Sequence, residues 1–166
     1  MFARVLLCAA ALLTAALPAQ AQQAAPTEAD IVAIKKDVTA AVDNYYALFS
    51  AHKMSDLPVQ SFNIPWILLS GNGPQANLTK EQAQEGFEAS LKNLVASGWG
   101  KSIFTTESVC VLSRNAAIAS GFNTRYKTDG SVMSVGGVAY ILGKTAEGWK
   151  IVSYSGITRG KQVKCD

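Results

Sequence analysis

The chain has 166 residues, 49% of them hydrophobic and 16% charged, with a formal charge of +3, three cysteines and a single histidine. Scattered lysines and so weak a charge balance leave no electrostatic footprint for nucleic acid or an anionic membrane. One histidine and widely spaced cysteines cannot supply three or four ligands at metal spacing, so no metal and no cofactor site is expected.

Residues 1–21 read as a signal peptide. Arg4 supplies the positive start, "VLLCAAALLTAAL" (5–17) the apolar stretch and "AQA" (19–21) the small-residue cleavage signal. The apolar run is shorter than the ~20 residues that a spanning helix needs. Cys8 lacks the small residue just before it that a lipid attachment site requires. Cleavage after Ala21 would remove Arg4, lower the charge to +2 and leave 145 residues, the size of one domain. The expected location is periplasmic or secreted, with no membrane contact after cleavage. In an oxidising compartment Cys110 and Cys165 are expected to form a disulfide that ties the C-terminal tail to a central strand. The alternative is a buried Cys110 and a free tail thiol.

Residues 22–26 are a small, polar lead-in expected to be disordered. Thr27 and Asp30 then form a capping box for a helix to about Ala51, with Ile31, Ile34, Val38, Val42, Tyr45 and Phe49 as one apolar stripe. "HKMSDLP" breaks it. "SFNIPWILLSG" (61–71) is rich in strand formers, but Pro65 demotes it to an edge strand or a bulge. "NGPQAN" reads as a loop. Thr79 and Gln82 open a second helix through Ala83, Phe87, Leu91, Leu94 and Val95, and Gly98 ends it. Residues 102–112, 116–127, 131–143 and 148–157 are four strands joined by "SRN", "TDG" and "KTAEG", which makes an antiparallel meander. Helices followed by strands mean an α+β domain over residues 27–157, with 158–166 as a tail.

This order of elements, closing on "AYILGKTAEGWKIVSYSG" with its glycine turn and Trp-x-Ile, resembles the NTF2-like superfamily, in particular SnoaL-like and DUF4440-type members. The resemblance implies a cone: a curved antiparallel sheet wrapped around the N-terminal helix, a pocket at the wide end, and often a homodimer formed through the sheet. Members include isomerases, cyclases, dehydratases and hydrolases as well as proteins that only bind, so the fold does not decide the chemistry. Many relatives place a histidine or an acid two and four positions after the Ile of Trp-x-Ile. Here those positions are Ser153 and Ser155, hydroxyls that hold a ligand but accept protons poorly near neutral pH.

The remaining candidates are few. His52 ends the first helix, where a cation suits the exposed carbonyls, and its other role would be a base at the pocket mouth. Glu107 alternates with Ile103, Thr105, Val109 and Val111. It is a base if that face is concave and a solvated charge if Phe104, Ser108, Cys110 and Leu112 turn inward. Arg125 shares a face with Asn123, Gly121, Ala119 and Ala117; it could grip a ligand carboxylate, bridge a dimer, or sit in water. The aromatics Tyr45, Phe49, Phe62, Trp66, Phe87, Phe104, Phe122, Tyr126 and Tyr140 are expected mostly inside, some lining a cavity whose polar minority is Tyr45, Tyr126, Ser153 and Ser155. The leading expectation is a non-catalytic module for a small hydrophobic ligand or for dimerisation. The alternative is a SnoaL-like isomerase, cyclase or dehydratase using Glu107 or His52.

Overall fold

The computed structural model describes residues 24–158 and 160–165. The expected signal peptide, with Arg4 and Cys8, lies outside the described residues. Among the described residues no helix is long and apolar enough to cross a membrane.

Helix α1 spans Glu28–Ser50 and starts as its sequence dictates: Asp30 N–H donates to Thr27 Oγ1 (3.3 Å) and Thr27 N–H donates to the Asp30 carboxylate (2.8 Å). Arg114 pairs with the same carboxylate at 2.7 Å and donates to the carbonyls of Ala24 and Ala25, both at 3.3 Å, which fastens part of the lead-in. The apolar stripe buries Ile34, Val38, Val42, Tyr46 and Phe49. At the C-terminus the chain turns with His52 in the left-handed region (φ 58°). Lys53 N–H reaches the Leu48 carbonyl (3.0 Å) and His52 N–H that of Phe49 (3.1 Å), a Schellman closure that uses histidine where glycine is usual.

The short helix α2 (Leu57–Gln60) precedes strand β1 (Phe62–Ser70), strand β2 (Gly73–Asn77), helix α3 (Lys80–Ala96) and the meander β3 (Trp99–Ser113), β4 (Ala116–Lys127), β5 (Val132–Thr145) and β6 (Gly148–Ile157). The six strands form one sheet in the order β2-β1-β6-β5-β4-β3. Two features depart from expectation. Most of "NGPQAN" is not a loop: it becomes β2 and pairs antiparallel with β1, from Ser70 opposite Gly73 to Trp66 opposite Asn77. β1 is therefore an interior strand, and it runs parallel to β6. Of the two expectations for Pro65 the edge strand fails and the bulge holds: it falls in the irregularity between Phe62 and Ile67, before pairing with β2 begins.

The sheet curves around α1, and inward positions can be read from pairs such as Tyr140 opposite Tyr154 and Leu142 opposite Ile151. Ile141 pairs with Ser153 and Leu142 with Ile151, so Val152 is an extra residue that bulges out of the ladder. β3 has a matching irregularity: Thr106 faces Gly121 and Ser108 faces Ser120, with Glu107 between. Each bulge reverses which side chains of its strand point inward. On the outer face, Cys110 and Cys165 are paired at bonding distance with Cα atoms 5.5 Å apart, and Ser120 Oγ donates to the Val163 carbonyl at 3.3 Å. The tail is thereby strapped over β3 and β4. Lys150, buried, donates its ammonium protons to the carbonyls of Val59 and Gln60 at the C-terminus of α2, where a cation is favoured.

Candidate functional site

At the wide end of the cone, between α1, α3 and the sheet, lies a cavity of about 610 Å³. Its floor is aromatic because three elements each turn rings toward it: Tyr45, Tyr46 and Phe49 from α1, Phe87 from α3, and Trp66, Tyr140 and Tyr154 from the sheet. Trp66 is stacked nearly parallel to both Phe87 (5.7 Å, 4°) and Tyr154 (5.3 Å, 14°). Tyr46 and Tyr140 share a hydrogen bond at 2.7 Å between their hydroxyls. The mouth is polar. Gln75, Ser90 and Ser134 are exposed lining residues, and Arg125 is half-buried beside them.

Burial raises the Tyr45, Tyr46 and Tyr140 phenols well above their ordinary range, and it pushes Tyr154 up to about 12. The positive charge of Arg125 opposes that rise for Tyr45, Tyr46 and Tyr154 without cancelling it. All four are neutral at physiological pH. Among the described residues, none that lines the cavity is Asp, Glu or His, and no three or more potential metal-ligating side chains come together.

Of the residues expected at the pocket, Tyr45, Phe49, Trp66, Phe87 and Tyr140 line it. Phe104 lies beneath them, buried and stacked on Tyr46 at 5.3 Å. Phe122 and Tyr126 alternate with the cavity-lining Asn123 and Arg125 and so occupy the opposite face, where Lys101 sits over the Tyr126 ring at 5.7 Å. Ser153 and Ser155 are also on the outer face. Simple alternation from Trp149 and Ile151 would turn them inward, but the Val152 bulge reverses the phase. Tyr154 and Gly156 take their place in the lining. Ser153 instead lies in the register between Ile67 and Ile141, both exposed. The signal for the bulge was the adjacent apolar pair Ile151-Val152, which no strictly alternating strand explains.

Glu107 is exposed on its bulge. His52 is exposed at the end of α1, its ring stacked on Trp99 at 5.9 Å. Neither lines the cavity. Arg125 and Asn123 do line it, with Ala117, Ala119 and Gly121 on the same face of β4. That shared face is the one read from the sequence, and it is the concave one.

A family model described as NTF2-like protein (DUF6841) matches residues 35–157. Comparison with curated proteins returned no match. Solved structures share the fold. An NTF-2 like protein of unknown function from Shewanella oneidensis is 18% identical, with a TM-score of 0.58 over 74% of this chain and 97% of its own. An NTF2-like protein with a cystatin-like fold from Novosphingobium aromaticivorans is 11% identical, with a TM-score of 0.59 over 79% and 85%. A ketosteroid isomerase-like protein from Erwinia carotovora atroseptica is 19% identical, with a TM-score of 0.50 over 74% and 95%. On the family match across most of its length, this chain belongs to the NTF2-like family DUF6841.

Proposed function

We propose that the cone cavity binds a small hydrophobic molecule without transforming it, in a protein exported to an oxidising compartment. One observation carries the first part: among the described residues, the wall is aromatic and contains no side chain that accepts a proton near neutral pH. A pocket that buries a ligand against Trp66, Phe87 and Tyr154 has the apolar lining and few polar groups typical of small-molecule sites. Isomerase or dehydratase chemistry of the SnoaL kind calls for a base within hydrogen-bond reach of the substrate. Glu107 and His52, the candidates for that role, stand outside the cavity. The pairing of Cys110 with Cys165 supports export, because such bonds persist where thiols are not kept reduced.

The test uses N-phenyl-1-naphthylamine, a neutral probe that fluoresces in apolar surroundings. Saturable binding of one probe per chain is expected, and it should be lost in Gly136→Leu. A Cβ added at Gly136, in the cavity lining, meets nothing within 4 Å, so the larger side chain has open cavity space to occupy. Linear, non-saturable fluorescence, or full binding in the filled variant, would overturn the reading.

A further inference from the structure

We propose that the mouth of the cavity is a carboxylate subsite centred on Arg125, and that the ligand is therefore a flat aromatic carboxylic acid, its ring against the Trp66 wall and its acid group at the rim. The inference rests on the cavity being a ligand site and specifies what that site selects.

Arg125 is the starting point. It lines the cavity half-buried, yet among the described residues it has no hydrogen bond and no ion pair; the ion pair present, Arg114 with Asp30, lies elsewhere. With no carboxylate in the lining, the protein leaves this guanidinium's charge unpaired. A partly desolvated, unpaired guanidinium is costly, and its planar fork matches a carboxylate through two parallel hydrogen bonds.

The surroundings fit the same ligand. Arg125 stands in register with Ser102 on β3 and Ser134 on β5, and both serines line the cavity. Ser102 Oγ accepts the Trp99 indole N–H at 2.9 Å, which leaves its own proton for donation. Asn123 lies two residues before Arg125 on the same face; its Oδ1, shut from water with no protein partner, is an acceptor and calls for a donor on the ligand, not for its carboxylate. Arg125, Ser102 and Ser134 thus place three donors side by side on the rim. Opposite Asn123 on β5 is Gly136, and on β6 Gly156 faces inward; an added Cβ at either meets nothing within 4 Å, so the approach is open.

The aromatic floor supplies the other half of the argument. Trp66 stacks with nearly parallel planes on Phe87 and on Tyr154, an aromatic cluster that an aromatic body can join by edge or face contact. Arg125 lines the same cavity as Tyr45, Tyr46 and Tyr154, so guanidinium and rings face one enclosed space.

The experiment compares 2-naphthoate with its methyl ester, each displacing N-phenyl-1-naphthylamine from the full chain. In the wild type the acid should displace the probe at a concentration at least tenfold lower than the ester. Arg125→Gln should bring the two within about threefold of each other, the acid-to-ester ratio being read within each variant so that any change in probe affinity cancels. Arg125→Lys, which keeps the charge but not the fork, should fall between. Equal potency of acid and ester in the wild type overturns the subsite while leaving the cavity reading intact, as does an acid preference that survives in Arg125→Gln. Failure of the probe itself to bind overturns the cavity reading and the subsite together. If Arg125→Gln does not fold, the wild-type ratio and the Arg125→Lys value decide the matter.

Discussion

At the narrow end of the cone, Leu142 of β5 faces Ile151 of β6, and Ala117 and Ala119 of β4 complete the layer against Val38 and Val42 of α1; none of these six exposes any surface. At the wide end the same three strands present Gly136, Asn123 and Gly156 at inward positions, and the space between sheet and helix is a cavity of about 610 Å³. One sheet and one helix thus make a solid half and a hollow half. The backbone curvature is common to both; side-chain volume at the inward positions differs. On β5 and β6 the hollow is specified by Gly136 and Gly156 where the same strands carry Leu142 and Ile151 at the closed end, while β4 runs the other way, from Ala117 and Ala119 to Asn123. It persists because Val152 shifts β6 by one residue between the two halves, so that Tyr154 and Gly156 turn inward in place of Ser153 and Ser155.

The comparison breaks if the narrow end tolerates loss of volume. Ile151→Ala removes a fully buried side chain from the closed layer, and about 2–5 kcal/mol of stability should go with it. Urea denaturation followed by Trp fluorescence measures it. A cost below about 1 kcal/mol would mean that the narrow end is as loosely packed as the wide one.

Much of this contrast was legible in the sequence and some was not, for reasons that differ by element. The N-terminal helix declared itself through Thr27, Asp30 and a stripe of apolar residues at helical spacing, because cap and stripe are local signals. The four-strand meander followed from its glycine and polar turns. Arg125 and Asn123 were correctly placed on one face with Ala117 and Ala119, since β4 runs from Ala116 to Arg125 without a bulge of its own. Strand phase failed where bulges intervene, at Val152 and Glu107, because a single inserted residue leaves composition unchanged and inverts everything beyond it. β2 was missed because "NGPQAN" has turn chemistry and pairs only with an already formed β1. That is tertiary context overriding propensity.

A smaller effect tests the floor where the two halves meet. Tyr46 and Tyr140 are both buried and bonded through their hydroxyls at 2.7 Å. Tyr46→Phe leaves the Tyr140 hydroxyl buried without that partner and should cost about 1–3 kcal/mol. Because burial raises the folded-state pKa of Tyr45, Tyr46 and Tyr140 above the unfolded value of about 10, the stability they contribute is fully present below that pH. It is then lost as pH climbs toward the folded-state values. Unfolding midpoints measured from pH 7 to 11 should be level to about pH 9.5 and fall beyond. The fall should be shallower in Tyr46→Phe, which has one fewer buried phenol to ionise.

The smallest effect, expected at Gly156, sharpens the comparison most when set beside the same substitution at Gly121 on the same concave face. At Gly121 an added Cβ would land on the backbone carbonyl oxygen of Thr105, and backbone cannot move aside cheaply. Gly121→Ala should therefore destabilise by at least ~1–3 kcal/mol. At Gly156 the same Cβ meets nothing within 4 Å and φ lies outside the region reserved for glycine. Gly156→Ala should change stability by no more than about 1 kcal/mol, and in the favourable direction, since alanine restricts the unfolded chain more than glycine does. A single methyl group then distinguishes a glycine required by close backbone approach from one whose absent side chain keeps a cavity open. Thermal melts of the two variants side by side read the difference directly. Equal losses at both positions would mean that the wide end is closed in solution and that the hollow half of the cone is not a standing feature of the fold.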